Sequence, residues 1–558
     1  MAPARFGWER EKRWWRAGSA VRAGGGRVGA AGWGVGAVWD GELMSSTEVF
    51  DDAGEDPGSA GKSREVGRGP GSAAEALGAD FEDSDEAPGS LGKSRSVGGG
   101  RGSVAEIAEV AEVRGAEAAG AGPRRILGIA IPTLGVLVAE PIYLLFDMAV
   151  VGRLGALALA GLAVGGLILA QVSSQLTFLS YGTTARAARR HGAGDERGAV
   201  IEGVQASWIA VGVGLVIVAV VQVFAGPITQ AIAGGDDIAR AAESWVRIAL
   251  FGVPLILLSM AGNGWMRGVQ QTRRPLLYVL AGLVVSGILC PTLVHGLLGA
   301  PRLELAGSAV ANLVGQAISG ALFVSALWRA KVPLAPHITI MKAQLALGRD
   351  LIARSLAFQA SFVSAAAVAS RFGAASVAAH QLVLQIWSFL ALTLDSLAIA
   401  AQTLVGAALG AGNARGARGL ARRITGWSTV FSVVLAAIFA AGYSLIPRLF
   451  TNDPSVLDRT HVVWWFFVAM IPVAGVVFAL DGVLLGAGDA AFLRNATLGS
   501  ALIGFLPLIW LSLAYDWGIG GIWTGLVAFM LLRLAAVSWR ALSGRWARVG
   551  AEVPGRMA

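Results

Sequence analysis

The chain repeats itself at an offset of 218 residues. Pro254 to Gly268 reads PLILLSMAGNGWMRG and Pro472 to Gly486 reads PVAGVVFALDGVLLG, so a proline and two glycines register and Asn263 falls on Asp481. At the same offset Arg153-Leu154-Gly155 meets Arg371-Phe372-Gly373, and HGAGDERGA from His191 meets LGAGNARGA from Leu409. One offset holding at three separated places marks the duplication of a whole unit. Whatever fold one copy adopts, the other must adopt as well.

Each copy is made of membrane-length segments. The chain is 55% apolar and only 15% charged, whereas a soluble protein carries about 25% charged residues. Apolar stretches of about 20 residues recur, the length that crosses ~30 Å of hydrocarbon at ~1.5 Å per residue. Twelve spans are expected: 126–151, 157–181, 200–226, 243–266, 276–299, 305–328, 350–372, 376–406, 425–446, 462–486, 492–515 and 519–539. Six spans per half bring each half back to its starting side, so the repeat is parallel, about an axis along the membrane normal. The expected fold is an all-α polytopic membrane protein with an N-lobe over 123–332 and a C-lobe over 333–545.

Basic residues set the orientation. Arg186, Arg189, Arg190, Arg197, Arg273, Arg274, Lys331, Lys342, Arg415, Arg418, Arg422 and Arg423 crowd the loops after spans 2, 4, 6 and 8, while the alternate loops carry GGDD (234–237) and TNDP (451–454). Positive-inside logic puts both termini, including a tail over 546–558, in the cytoplasm of a cell (plasma or inner) membrane. The net charge of +8 then reflects topology, and a nucleic-acid partner is not expected, since no basic patch with interleaved aromatics sits on a soluble domain. Cys290 is the one cysteine and the five histidines are scattered, which leaves no disulfide, thiolate cluster or metal-ligand spacing.

Residues 1–122 are Gly-, Ala- and Ser-rich, acidic on balance and without period. Such a composition cannot bury enough apolar surface to offset chain entropy, so a disordered cytoplasmic extension is expected. Met44 opens a more ordinary acidic segment, and a misassigned start is the alternative. Two GKS triplets, in PGSAGKSREVG (57–67) and PGSLGKSRSVG (88–98), lack the glycine of a phosphate loop, with Asp56 and Ala87 in its place. Trp8, Trp14 and Trp15 among arginines near the start suit contact with anionic lipid headgroups.

Four carboxylates fall inside spans: Glu140 and Asp147 in span 1, Asp395 in span 8 and Asp481 in span 10. An acid at mid-bilayer costs about 2.5–3.5 kcal/mol even on insertion scales, so each asks for a reason. Glu140 and Asp147 are seven residues apart and share a helix face. One reading makes all four structural partners of other helices, with Arg354 and Arg533 available. The other makes them protonatable groups in a cavity, with Asp147 and Glu140 coupling to an ion. Tyr143, Gln171, Asn263 and Asn312, polar residues in the same apolar spans, join Asp395 and Asp481 as cavity candidates. Pro132 is expected to open span 1 and Pro141 lies inside it. Both are hinge candidates, because proline removes a helical hydrogen bond.

Three stretches carry a family resemblance. IPTLGVLVAEPIYLLFDMAVVGRLG (131–155), AAHQLVLQIWSFLALTLDSLAIAAQTLVGAALGAGN (378–413) and FALDGVLLGAGD (478–489) resemble helices 1, 8 and 10 of the multidrug and toxic compound extrusion (MATE) family, DinF branch. The resemblance spans about 124–545 in order. It implies a transporter, not an enzyme: two lobes about a central cleft, exporting amphipathic, often cationic small molecules against H⁺ or Na⁺, with no other cofactor. It also implies an essential acid at Asp147, a bending proline at Pro132 and C-lobe acids at Asp395 and Asp481. Asn263 departs from an acidic pattern, and no Na⁺ ligand set assembles from Asp147, Asn263 and Asn312, which favours H⁺. A monomer is expected. A flippase of lipid-linked precursors is the alternative within transport, and a non-transporting scaffold the alternative outside it.

Overall fold

A computed structural model describes residues 122–553. The N-terminal extension, its GKS triplets and its tryptophans lie outside the described residues. Among the described residues twelve membrane-length helices appear, one for each expected span. They are α1 (Pro123–Gly152), α2 (Ala156–Gly192), α3 (Glu196–Ile232), α4 (Asp236–Gly268), α5 (Arg273–His295) and α6 (Leu305–Arg329) in the first half. The second half holds α7 (Ile338–Phe372), α8 (Ala374–Gly410), α9 (Ala414–Ala441), α10 (Pro454–Gly486), α11 (Ala490–Ala514) and α12 (Gly518–Ser543). Several outrun the apolar stretch that announced them. Amphipathic turns such as DDIARAAE, which begins α4, continue the helix past the bilayer, because water as well as protein can face them.

The halves pair their helices alike. In the first, α2 packs on α4, α3 on α4, α1 on α5, α5 on α6 and α4 on α6; in the second, α8 packs on α10, α9 on α10, α7 on α11, α11 on α12 and α10 on α12. The correspondence reaches single atoms. Asp195 caps α3 by accepting from Gly198 N, and Asn413 caps α9 by accepting from Gly416 N; these pairs are 218 residues apart. Gly194 and Gly412 precede those caps at φ 80° and 79°, the left-handed region where an L side chain is strained. The outer surface is apolar, with Ile131, Val223, Leu277 and Ile503 all more than 60% exposed. In water such a surface would aggregate; it is the face a bilayer requires. The chain is a multi-pass membrane protein.

Three departures from the sequence reading concern α1, α2 and α11. Pro132 does not open α1, which begins at Pro123 and runs through both Pro132 and Pro141. The carbonyl that Pro132 leaves without an amide partner is that of Gly128, and Thr272 donates its hydroxyl to it at 3.4 Å, so α5 stabilises the interrupted turn. Helix α2 is broken at Leu176 and Thr177, between Gln175 and Phe178. In α11 a π-helical turn over Ala501–Phe505 precedes Pro507, a usual place for a wide turn to absorb the missing amide.

The halves meet along α2. Gly192 of α2 sits against Ala407 of α8, where an added Cβ would lie 1.9 Å from its carbonyl oxygen. Gly410 of α8 sits against Arg189 of α2 with the same 1.9 Å separation. Gly192 matches Gly410, and Arg189 matches Ala407, at the repeat offset, so this junction is a two-fold contact between duplicated surfaces. Only glycine permits backbones this close.

Candidate functional site

Asp147 lies one helical turn beyond Tyr143 on α1 and is 1% exposed. Its Oδ1 accepts from the Cys290 thiol at 3.1 Å and its Oδ2 from the Ser308 hydroxyl at 2.9 Å. The Trp245 indole donates to Ser308 Oγ at 3.3 Å. The carboxyl is thus held by α1, α5 and α6, with α4 behind. Among the described residues no ion pair includes Asp147. Both donors are neutral and one is a weak thiol, so any negative charge here stands uncompensated. The positions 218 residues further on are Ala365, Val463, Leu508 and Leu526. The second half has filled the equivalent place with hydrocarbon.

Beside this carboxyl lies a cavity of about 80 Å³ in the N-lobe, bordered by Glu140, Tyr143, Asn263, Ser286, Asn312 and Ser319. The sequence-derived candidates Glu140, Tyr143, Asn263 and Asn312 therefore converge. The Ser286 hydroxyl donates to Tyr143 Oη at 2.6 Å, and Asn263 Oδ1 is buried without a hydrogen-bond partner. Glu140 is its one acidic side chain. Gln171 does not belong: it is exposed on α2 and lines neither this cavity nor the next. Sequence polarity could not tell a cavity-facing amide from an outward one.

The second cavity, about 360 Å³, lies in the C-lobe against the broken part of α2. Asp395 and Asp481 both line it. Asp481 is not a lone acid. Arg354 of α7 donates to its Oδ2 at 2.5 Å, and Arg533 of α12 donates to the same oxygen. Asp481 thus pairs with arginines of two other helices and is also part of the cavity wall. Phe358 lies under both guanidiniums, at 5.6 Å from Arg354 and 4.9 Å from Arg533. Asp395 accepts from the Tyr181 hydroxyl at 2.6 Å; Tyr181 is on α2, so this bond joins the lobes.

The two cavities are repeats of one another. Arg354, Asp481 and Arg533 stand at the offset from Val136, Asn263 and Gly315, and all six line their respective cavities. Duplication made two equivalent pockets. One kept neutral walls around Glu140, and the other acquired two arginines and an aspartate.

Sequence reading missed a third polar cluster. Glu202, 1% exposed on α3, is gripped by Arg186 through Nε and Nη2 at 2.7 and 2.8 Å, by Arg190 at 3.1 Å and by Gln344 of α7 at 2.8 Å. It also missed the role of Arg189. That side chain is fully buried and donates to the carbonyl oxygens of Ala487, Arg548, Gly550 and Glu552 at 2.9–3.3 Å. Gly550 N donates to Leu409 O at 3.0 Å. The segment expected as a tail is, through residue 553, a strap seated on α2, α8 and α10. Positive-inside counting had treated Arg186, Arg189 and Arg190 as topology signals, and nothing in one dimension marks them as packed.

Twelve spans in duplicated halves, with a polar cavity in each and a buried carboxyl beside one, define a polytopic membrane transporter. A scan of family models agrees, matching MatE over residues 132–292 and 351–510, one match per lobe. The chain belongs to the MatE family. It is 31% identical over 435 residues to Protein DETOXIFICATION 44, chloroplastic, of Arabidopsis thaliana, a match covering 74% of this chain and 81% of that protein. It is 27% identical to DNA damage-inducible protein F of Escherichia coli (strain K12), covering 75% and 92%, which supports the DinF-like placement. Among solved structures, a MATE protein crystallised in the bent conformation superposes with a TM-score of 0.70 at 19% identity, covering 79% of this chain and 98% of that one. These relatives and neighbours are transporters rather than enzymes.

Proposed function

We propose that the protein is an efflux transporter that exports small amphipathic compounds by antiport with H⁺, through a coupling carboxyl at Asp147. The observation that carries this is the setting of that carboxyl: fully enclosed, held by neutral donors from α5 and α6, and without a cation. Binding a proton removes the uncompensated charge and turns an acceptor into a donor, so the Cys290 and Ser308 contacts must rearrange. Those contacts tie α1 to α5 and α6. A change of protonation is therefore a change in how α1 packs, and α1 also touches α8 of the other lobe. Na⁺ is the lesser alternative, because it needs several oxygens and Asp147 has only its own and that of Ser308 close by.

The cavities divide the work. About 80 Å³ beside Glu140 suits an ion with water, whereas about 360 Å³ in the C-lobe reaches the roughly 300–1,000 Å³ range of small-molecule sites. The interlobe bonds of α2, from Tyr181, Arg189 and Gly192, lie toward its basic end. With both termini cytoplasmic, this is a state closed inward and able to open outward. On this reading the protein works as a monomer in a plasma or inner membrane. The flippase alternative gains Arg354 and Arg533 as a cationic wall, yet both already hold Asp481, too little for a pyrophosphate. The test is proton release in detergent on adding a transported dye drawn from a panel of cationic, zwitterionic and anionic members. Wild type releases protons and Asp147→Asn does not. Equal release from both removes Asp147 from the mechanism.

A further inference from the structure

We infer that residues 547–553 are a releasable latch between the two lobes at the basic end of the molecule, and, resting on the efflux reading, that its release is a step of inward opening. The segment follows α12 and so is rooted in the C-lobe. Trp546, 3% exposed, anchors it there by donating its indole N–H to Ala541 O at 2.9 Å. Gly550 N donates to Leu409 O of α8 at 3.0 Å. Val553 seats on Gly488, just past α10, where an added Cβ would lie 2.2 Å from its Cγ1. The other side of the segment meets the N-lobe. Arg189 of α2 donates to the carbonyl oxygens of Arg548, Gly550 and Glu552, and Arg190 donates to the Glu552 carboxylate at 3.2 Å. One short segment thus bonds to both lobes.

These bonds are built to part on one side. The contacts to the N-lobe come from two neighbouring guanidiniums at the end of α2. Separating the lobes there moves both charges into water, so neither is left buried and unpaired. The bond to Leu409 and the packing of Trp546 and Val553 keep the segment on the C-lobe meanwhile. The duplication supplies an independent reason. At the repeat offset residues 548–553 stand on residues 330–335, in the linker between α6 and α7. That linker is likewise held by side chains on its carbonyls: Gln205 donates to Ala335 O at 3.0 Å and Trp208 to Leu334 O at 2.8 Å. There the chain itself passes from one lobe to the other, a tie that cannot open. The second copy reaches the opposite lobe through side-chain hydrogen bonds alone. Arg189 has Ala407 as its repeat mate, so the residue that grips the segment exists in one copy only. Duplication left one permanent tie and one that can be released.

The experiment reads the distance between spin labels at Arg197→Cys and Arg415→Cys, exposed repeat mates at the starts of α3 and α9 on opposite lobes, with the full chain in lipid nanodiscs. Cys290, the one native cysteine, is fully buried. With the strap intact a short distance should dominate. A chain ending at Trp546 should add a longer one, the open-to-closed ratio rising about tenfold, the worth of a hydrogen bond to a charged group. Gly550→Pro should shift the ratio the same way with every helix intact, since proline offers no N–H to Leu409 and cannot adopt the Gly550 φ of 134°; it carries the test if the shortened chain does not fold. Unchanged distances in Gly550→Pro, with amide exchange at 548–553 already fast, overturn the inference. In vesicles, a reducible cross-link between Arg190→Cys and Glu552→Cys should stop export of a dye, and reduction should restore it, which a strap serving only C-lobe stability would not show. Export indifferent to the cross-link also overturns the latch. A wild type that exports no dye of the panel sinks the efflux reading, while the label distances still decide the latch.

Discussion

At the scale of single residues, three carboxyls of similar sequence context have three different situations. Asp147 is enclosed with neutral donors, Asp395 bridges the lobes to Tyr181, and Asp481 sits between two arginines. Substitution should therefore act differently at each. Asp147→Asn should reach the membrane in normal amount and lose proton-driven efflux by on the order of a hundredfold, in the range of a lost proton-transfer group; vesicle transport against abundance on a blot checks this. Asp481→Asn removes the charge that holds Arg354 and Arg533. Breaking a buried pair costs about 3–5 kcal/mol, so its main effect should be a lowered unfolding temperature in detergent. A variant as stable as wild type would show that the arginines find other partners.

Single helices matter here chiefly for what they touch at their ends. Arg189 satisfies four carbonyls with one guanidinium, and three of these belong to the strap. Leaving a buried carbonyl unpaired costs about 1–3 kcal/mol. Arg189→Ala should free residues 548–553, seen as faster amide exchange there, at Gly550 above all, whose N–H donates to Leu409 O, while the helices keep their protection. Gly192 and Gly410 set the distance between α2 and α8. Gly410→Val puts side-chain atoms into the Arg189 carbonyl, and overpacking costs about 1–3 kcal/mol or more. Here the lobes should separate at the basic end, measured as raised labelling of a cysteine introduced beside Gly192.

For the whole molecule, the working unit is the duplicated core. Both lobes, both cavities and the junction between them lie within the described residues 122–553. A chain lacking residues 1–120 should accordingly insert and export at near wild-type rate; a well-inserted deletion without transport would assign the extension a part in the cycle. Alternating access in such a molecule means that one lobe moves against the other. The bonds that must break include the Tyr181–Asp395, Gln402–Tyr181 and Arg189–Ala487 contacts, the Glu202–Gln344 contact and the glycine junction.

Length, hydropathy and a repeat offset determined the twelve helices and the parallel halves, because crossing a bilayer leaves a chain few choices of backbone: every amide must be satisfied within its own helix. The same reading picked out Glu140, Tyr143, Asn263 and Asn312 among its candidates, since polar residues in apolar spans tend to face away from lipid, but not that these four share one cavity. It could not tell that Asp147 meets Cys290 and Ser308, that Asp481 meets Arg354 and Arg533, or that Gln171 faces outward. Those facts depend on rotation of each helix about its axis and on partners 52 to 161 residues away. Nor could it see that arginines counted for topology are buried as Arg186 and Arg189 are. Charge along a sequence is a sum over loops. Charge in a site is set by which side chains a packed junction brings within reach, and only the tertiary structure decides that.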